Sequence, residues 1–166
     1  MAEVTPSERL QPCLLDRLTD DDPAIKEESK NQRVISLQRY KRGVLRDIEW
    51  LLNSSAHLPE EGRKCFRLAD FPEAHRSVIN FGTRQLCGLI APDMEGLERE
   101  MTEALRLFEP RIIRSSVAVK ATLERNMVII EIRGDLWANP MPEQLFLKTK
   151  VDLETGQCIL GDATNG

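Results

Sequence analysis

Apolar residues in the first two thirds of the chain recur at steps of three and four, which is the period of an amphipathic helix. The longest such set comprises Leu37, Tyr40, Val44, Ile48 and Leu51. Ser36 directly precedes this set, and serine is favoured at helix N-caps because its hydroxyl accepts a hydrogen bond from a free backbone amide. A second set lies within Met94–Phe108. Both stretches are predicted to be long helices.

Glu109-Pro110-Arg111 follows the second helical pattern. A proline has no backbone N–H and disfavours the helical conformation of the residue before it, so the helix is predicted to end near Glu109. Phe108 and Ile112 bracket the two charged residues, which places both charges near the core. An unpaired charge is costly there and a paired one is tolerated. Two alternatives stay open: a buried ion pair that determines the fold, or a motif that faces a partner.

After residue 111 the apolar period changes to two, which is typical of half-buried strands. Alternating segments lie within residues 117–123, 128–136 and 145–153, and a short return through Cys158–Leu160 is possible. The middle segment is apolar on both faces and is predicted to be central. The fold class is therefore predicted to be α+β, with helices packed on a small antiparallel β-meander sheet.

The first residues carry a short leucine pattern, since Leu10, Leu14 and Leu18 step by four. One or two helical turns are not stable alone, so this segment is expected to dock either on its own domain or on a partner. The charged residues 19–31 show no apolar period, which is typical of a solvated linker. The predicted organisation is a flexible docking segment and linker over residues 1–33, followed by an α+β domain over 34–166.

Composition excludes several classes of function. The net charge of −4 argues against a nucleic-acid-binding protein. The chain has no signal-peptide pattern and no run of roughly 18 apolar residues, so we expect a cytoplasmic protein without membrane insertion. Its four cysteines and two histidines are too scattered to form metal-ligand pairs, and phosphate-binding loops and nucleophile elbows are absent. We therefore expect no catalytic residues, no cofactor and no metal.

Several stretches of the sequence resemble the TssE family, the baseplate subunits of type VI secretion systems. The matching pieces are residues 14–18, 45–53, 71–82 and 109–111. Each piece is weak alone, but their combination and order are specific. The sequence departs from the family pattern at Ile79 and Phe81, where the family has leucine and tyrosine. Both exchanges preserve size and apolarity and affect only a contact of the tyrosine hydroxyl.

The resemblance implies a structural role and a set of partners. TssE is similar to the phage baseplate wedge protein once labelled a tail lysozyme. The resemblance implies a cytoplasmic subunit of a baseplate that is associated with the inner membrane. This subunit would bind TssF and TssG in a wedge and would have TssK as a further partner. The subunit would template polymerisation of the contractile sheath of TssB and TssC. The family's signature motif falls on Glu109, Pro110 and Arg111.

Two further sets of residues are predicted to take part in assembly. The leucines Leu10, Leu14 and Leu18 suit docking of a short helix into a groove of a partner. The third strand, with Lys148 and Lys150 pointing outward, is predicted to be a sheet edge. Because edge strands carry unpaired backbone groups, a sheath strand could pair there.

The competing function is a peptidoglycan-degrading, lysozyme-like hydrolase. Such an enzyme needs one carboxyl group held protonated by an apolar site, and a second one about 5 to 10 Å away. Arg111 lies two residues from Glu109 and favours the ionised carboxylate. No second carboxylate is obviously placed opposite it. The sequence therefore favours a protein that is not an enzyme.

Overall fold

The computed structural model describes residues 10, 13–19, 35–54, 70–83, 93–125, 127–138, 141–155 and 157–161. Its helices are α1 (Leu14–Leu18), α2 (Leu37–Asn53), α3 (Pro72–His75) and α4 (Met94–Phe108), with a 3₁₀ turn at Val78–Asn80. Its strands are β1 (Ala118–Glu124), β2 (Met127–Leu136), β3 (Glu143–Asp152) and β4 (Cys158–Leu160). The two long predicted helices are confirmed as α2 and α4.

Both long helices begin at a polar side chain that caps the first turn. The Ser36 hydroxyl accepts a hydrogen bond from the backbone N–H of Arg39 at 3.3 Å. The Asp93 carboxylate accepts one from the N–H of Gly96 at 3.0 Å. Each cap satisfies an amide that has no partner inside its helix, so the sequence itself determines where these helices start.

The sheet is an antiparallel meander in the order β1-β2-β3-β4. The predicted central strand is β2, which pairs with β1 on one side and with β3 on the other. One face of the sheet packs against α2 and α4 to form the core. Its fully buried members include Ile48, Leu51, Leu105, Ile112, Ile130, Ile132, Leu136 and Leu147. The predicted α+β class is confirmed.

The prediction that β3 forms a sheet edge at Lys148 and Lys150 is wrong. Strand β4 pairs there, with Lys150 opposite Ile159, and the N–H of Gly161 donates to the carbonyl of Lys148 at 2.9 Å. The N–H and C=O of one residue in an antiparallel strand point to the same side, so the backbone groups of Lys148 face β4. The chain returns here because Cys158 is buried, with its Sγ 2.8 Å from the Thr149 hydroxyl.

Candidate functional site

Glu109 and Arg111 form a buried, bidentate ion pair. The Nε of Arg111 donates to Oε1 of Glu109 at 2.7 Å, and its Nη2 donates to Oε2 at 2.5 Å. The backbone N–H of Arg111 adds a third bond to Oε1 at 3.1 Å. Glu109 is only 3% exposed, and its carboxylate accepts all three bonds within the chain. Glu109 is thus buried and Arg111 partly buried, and the pair is satisfied internally, as the first of the two alternatives describes.

A β-turn brings the two side chains together. Helix α4 ends at Phe108, and the N–H of Ile112 donates to the carbonyl of Glu109 at 3.2 Å. Pro110 occupies the second position of this turn, where its fixed φ is favoured, and its side chain is exposed. The turn is attached to β2, because the carbonyl of Arg111 accepts a hydrogen bond from the N–H of Trp137 at 2.7 Å.

The ion pair continues into a larger set of charges. The Nη2 of Arg111 also donates to Oδ2 of Asp47 at 2.6 Å. The other oxygen of Asp47 accepts from Nε of Arg46 at 2.9 Å, and Nη1 of Arg46 donates to Oδ1 of Asp16 at 2.7 Å. We call Glu109, Arg111, Asp47, Arg46 and Asp16 the charge network. It alternates in sign from α1 through α2 to the Pro110 turn and connects elements that are distant in sequence.

The environment of the network favours its charged forms. Burial acts to lower the pKa of Arg111, but the hydrogen bonds and charges of Glu109 and Asp47 outweigh it and raise that pKa. Burial also acts to lower the pKa of Arg46, and Asp16 and Asp47 raise it in the same way. Burial acts to raise the pKa of Asp16, but hydrogen bonds from Cys13 and Arg46 hold it below its usual value. These three groups are therefore ionised at neutral pH.

A cleft of about 790 Å³ opens beside the charge network. Its lining includes Leu15, Tyr40, Asp47, Trp50, Phe81, Phe108, Pro110, Arg111 and Trp137. The indoles of Trp50 and Trp137 are more than half exposed, whereas Tyr40 is buried and donates its hydroxyl to the carbonyl of Trp137 at 3.0 Å. Burial raises the pKa of Tyr40. The cleft thus has a charged end, an apolar lining and exposed aromatic side chains.

The three predicted docking leucines do not share one face. Leu10 is buried in the core, and its carbonyl accepts a hydrogen bond from the N–H of Ile35 at 3.0 Å. Leu14 and Leu18 on α1 are 70% and 74% exposed. Only these two remain available to a partner. The predicted linker beyond Thr19 and the predicted boundary at residues 33 and 34 lie outside the described residues.

Helix α1 docks on α2 through Asp16. The Sγ of Cys13 donates to Oδ2 of Asp16 at 3.0 Å, while Arg46 binds the other oxygen. Gly43 provides the space, since a Cβ atom there would lie only 3.1 Å from Oδ2 of Asp16. Cys13 is half-buried and caps α1. The first helix is thus held by polar contacts rather than by apolar burial.

Sequence reasoning missed three members of the network: Asp16, Arg46 and Asp47. All three lie within the two stretches, 14–18 and 45–53, that carry the family resemblance. Charged residues embedded in those otherwise leucine-rich stretches were the available signal. Their pairing with Arg111 could not be read from the sequence, because 64 residues separate Asp47 from Arg111.

Two features are absent from the described ranges. No group of three or more His, Cys, Asp or Glu side chains in them could hold a metal ion. No helix among these residues is long and apolar enough to cross a membrane.

Fold and site together define a structural α+β domain whose buried ion pair fixes the joint between a helix and a sheet. The family model of baseplate wedge protein gp25 matches residues 38–141, and the chain belongs to this family. The matched region contains all of α2 except Leu37, together with α3, α4, β1, β2 and the Pro110 turn. No curated protein matches the chain. The resemblance to the baseplate wedge family is thus confirmed, and with it a structural role like that of a phage baseplate component.

Proposed function

We propose that this chain is a TssE-type subunit of a type VI secretion baseplate and not an enzyme. In this role it assembles with TssF and TssG into a wedge, contacts TssK, and templates polymerisation of the TssB and TssC sheath. Its location is the cytoplasmic baseplate associated with the inner membrane. The observation that carries the proposal is the position of Glu109, Pro110 and Arg111. These residues, which the resemblance to TssE implies are the signature motif, form the joint between α4 and the sheet inside the region that the wedge family matches.

The charge network supports a structural role because it holds three segments in one arrangement. Arg111 binds Glu109 on its own turn and Asp47 on α2, and Arg46 carries the contact on to Asp16 of α1. A wedge subunit needs surfaces of fixed relative position. The network provides this for the cleft and for α1, whose Leu15 lines the cleft and whose Leu14 is exposed, and we propose both as the surface for wedge partners.

The geometry of the carboxylates disfavours the hydrolase alternative. Glu109 accepts three hydrogen bonds from Arg111, so it is an acceptor held by a cation. Asp47 binds the same guanidinium and that of Arg46. A glycosidase needs a carboxylic acid that keeps its proton in an apolar site, and neither group has such surroundings.

Sheath templating by strand addition requires an unpaired edge, and the sheet leaves one in the first half of β3. At the β1 edge, the carboxylate of Glu98 accepts a hydrogen bond from the N–H of Ala121 at 2.8 Å, which occupies an outward-facing donor. Strand β4 covers β3 at residues 149–151. The backbone groups of Gln144 and Phe146 face the same side as those of Lys148, where no strand among the described residues pairs with them. We propose this edge for the sheath strand.

Co-expression with TssF and TssG, followed by size-exclusion chromatography, tests the assignment. We expect the chain to elute with both partners in one complex. The test variant Leu14→Ser/Leu18→Ser, which changes two exposed side chains, should leave the domain folded and weaken co-elution. Elution of the wild-type chain alone would contradict the wedge assignment. Release of soluble fragments from purified peptidoglycan, abolished by Glu109→Gln in a folded protein, would support the hydrolase instead.

A further inference from the structure

A second cleft, of about 510 Å³, lies on the outer side of α4. Its lining is Arg99, Thr102, Glu103, Arg106, Leu107 and Arg114. Three guanidinium groups therefore surround one concavity in a chain whose net charge is −4. We call this surface the arginine cleft. It is separate from the charge network, with which it shares no residue.

Hydrogen bonds hold the arginine cleft in shape. The Nε of Arg106 donates to the carbonyl of Arg114 at 3.0 Å, which attaches the loop after the Pro110 turn to α4. In that loop the N–H of Ser116 donates to the carbonyl of Ile113 at 2.9 Å. The Ser116 hydroxyl accepts from the N–H of Asp135 at 2.8 Å. Arg114 thus projects from a turn fixed to both α4 and β2, so little backbone ordering would oppose binding.

Two of the three guanidinium groups have N–H donors that are available to a ligand. Arg99 and Arg114 are exposed, and neither forms an ion pair or side-chain hydrogen bond within the described part of the chain. The acidic residue in the lining, Glu103, contacts Nε2 of His75 at 3.3 Å. With three guanidinium groups and one carboxylate in its lining, the cleft carries net positive charge beside the partly buried side chain of Leu107.

We propose that the arginine cleft binds an acidic segment of a protein partner. Guanidinium groups bind carboxylates through paired hydrogen bonds, and Leu107 offers apolar contact to a neighbouring side chain. An extended nucleic acid fits less well, because its backbone offers no apolar side chain to Leu107 and its continuous row of phosphates meets a chain of net charge −4. The proposal does not rest on the secretion assignment, since its test uses a synthetic peptide.

The probe is a fluorescent, end-blocked hexapeptide of alternating glutamate and leucine, titrated with the full chain at low ionic strength. Fluorescence anisotropy should show binding that weakens about fivefold in Arg99→Ala/Arg114→Ala, as expected for two solvent-exposed charge pairs. The control Arg17→Ala/Arg42→Ala removes two exposed arginines elsewhere and changes the net charge equally. It should bind like the wild type. Circular dichroism checks that both variants are folded.

Several results would overturn the proposal. Equal weakening in the control would show a general charge effect, and no weakening in either variant would remove the arginines from binding. An oligonucleotide that displaces the peptide at lower concentration than unlabelled peptide would indicate nucleic acid as the partner. Inorganic phosphate that does so would indicate a small-anion site. Amide shifts in an NMR titration that cluster on α4 and around Arg114 would support the proposal, and shifts elsewhere would contradict it.

Discussion

The side chain of Asn53 binds the backbone of Cys158 through both ends of its amide. Its Nδ2 donates to the carbonyl of Cys158 at 3.1 Å, and its Oδ1 accepts from the N–H at 2.9 Å. In β4 the backbone groups of Ile159 pair with β3. Those of the neighbouring Cys158 point the opposite way, to the outer edge of the sheet. The last residue of α2 thus occupies the edge of β4 as a strand would.

Replacing Asn53 by alanine should destabilise the protein by about 1 to 2 kcal/mol, because both edge groups of Cys158 lose their partner. The variant Asn53→Asp retains the acceptor for the N–H of Cys158 but sets a carboxylate oxygen against the carbonyls of Glu49 and Cys158 at the C-terminal end of α2, so it should be no more stable than alanine. Urea unfolding measures the difference. Equal stability of Asn53→Ala and wild type would show that water replaces the amide without cost.

Local signals in the sequence were sufficient to predict the two long helices, the strands of the meander and the turn that joins α4 to the sheet. Proline chemistry places the end of α4, and the change from helical to alternating period places the start of the meander. Leu10 was misread because its spacing from Leu14 fits a helix, whereas it pairs with Ile35 as an isolated bridge. The short return through Cys158–Leu160 is confirmed as β4, but the extent of its pairing over Lys148 was not predicted. The partner of Arg111 on α2 depends on a contact between segments that are distant in sequence. A single sequence contains no period or spacing that reports such contacts.

Removing either member of the Glu109–Arg111 ion pair should destabilise the domain, but by different amounts. Arg111→Ala leaves Glu109 buried without its cation, at a cost of about 3 to 5 kcal/mol. Glu109→Ala should cost less, because Arg111 keeps its contact with Asp47. Thermal melts compare the two with Pro110→Ala, which alters an exposed side chain of the same turn. A larger loss in Glu109→Ala than in Arg111→Ala would contradict this order.

The amino-terminal leucines should separate into a structural and an exposed class. Leu10→Ala removes a buried side chain and should cost about 2 to 5 kcal/mol, since it leaves a cavity. Leu14→Ser/Leu18→Ser changes exposed positions and should alter the free energy of unfolding by less than about 0.5 kcal/mol. Urea unfolding of both variants decides. A wild-type midpoint for Leu10→Ala would place that leucine outside the core in solution.

Acid should weaken the attachment of α1 through Asp16. Hydrogen bonds from Cys13 and Arg46 hold the pKa of Asp16 below its usual value in the folded state. A carboxyl group with a lowered folded pKa contributes stability that is complete above its unfolded pKa of about 3.9 and is lost as the pH falls through the folded value. The stability difference between wild type and Asp16→Asn should therefore be constant from neutral pH to about pH 5 and shrink below about pH 4. A stability difference between wild type and Asp16→Asn that grows as the pH falls would contradict this prediction.

The proposed sheath edge can be tested at Gln144, whose side chain is exposed. Its backbone N–H points away from β2, so a proline there removes a donor that no described residue uses and leaves the β2–β3 ladder paired. Gln144→Pro should fold and join the wedge but fail to start sheath polymerisation. Imaging of a fluorescent sheath subunit measures whether sheaths form. Gln144→Ala retains the N–H and should polymerise sheath normally.

The same substitution at Lys148 has a different expected effect. Proline there alters a residue whose carbonyl binds Gly161, so it should disturb the pairing of β3 with β4 and lower stability before any effect on the sheath. A folded Gln144→Pro subunit that starts sheaths at the wild-type rate would remove the first half of β3 as the template. Strand addition would then require the β1 edge, where Glu98 must first release the N–H of Ala121. In that case Glu98→Ala should increase the rate at which sheaths start.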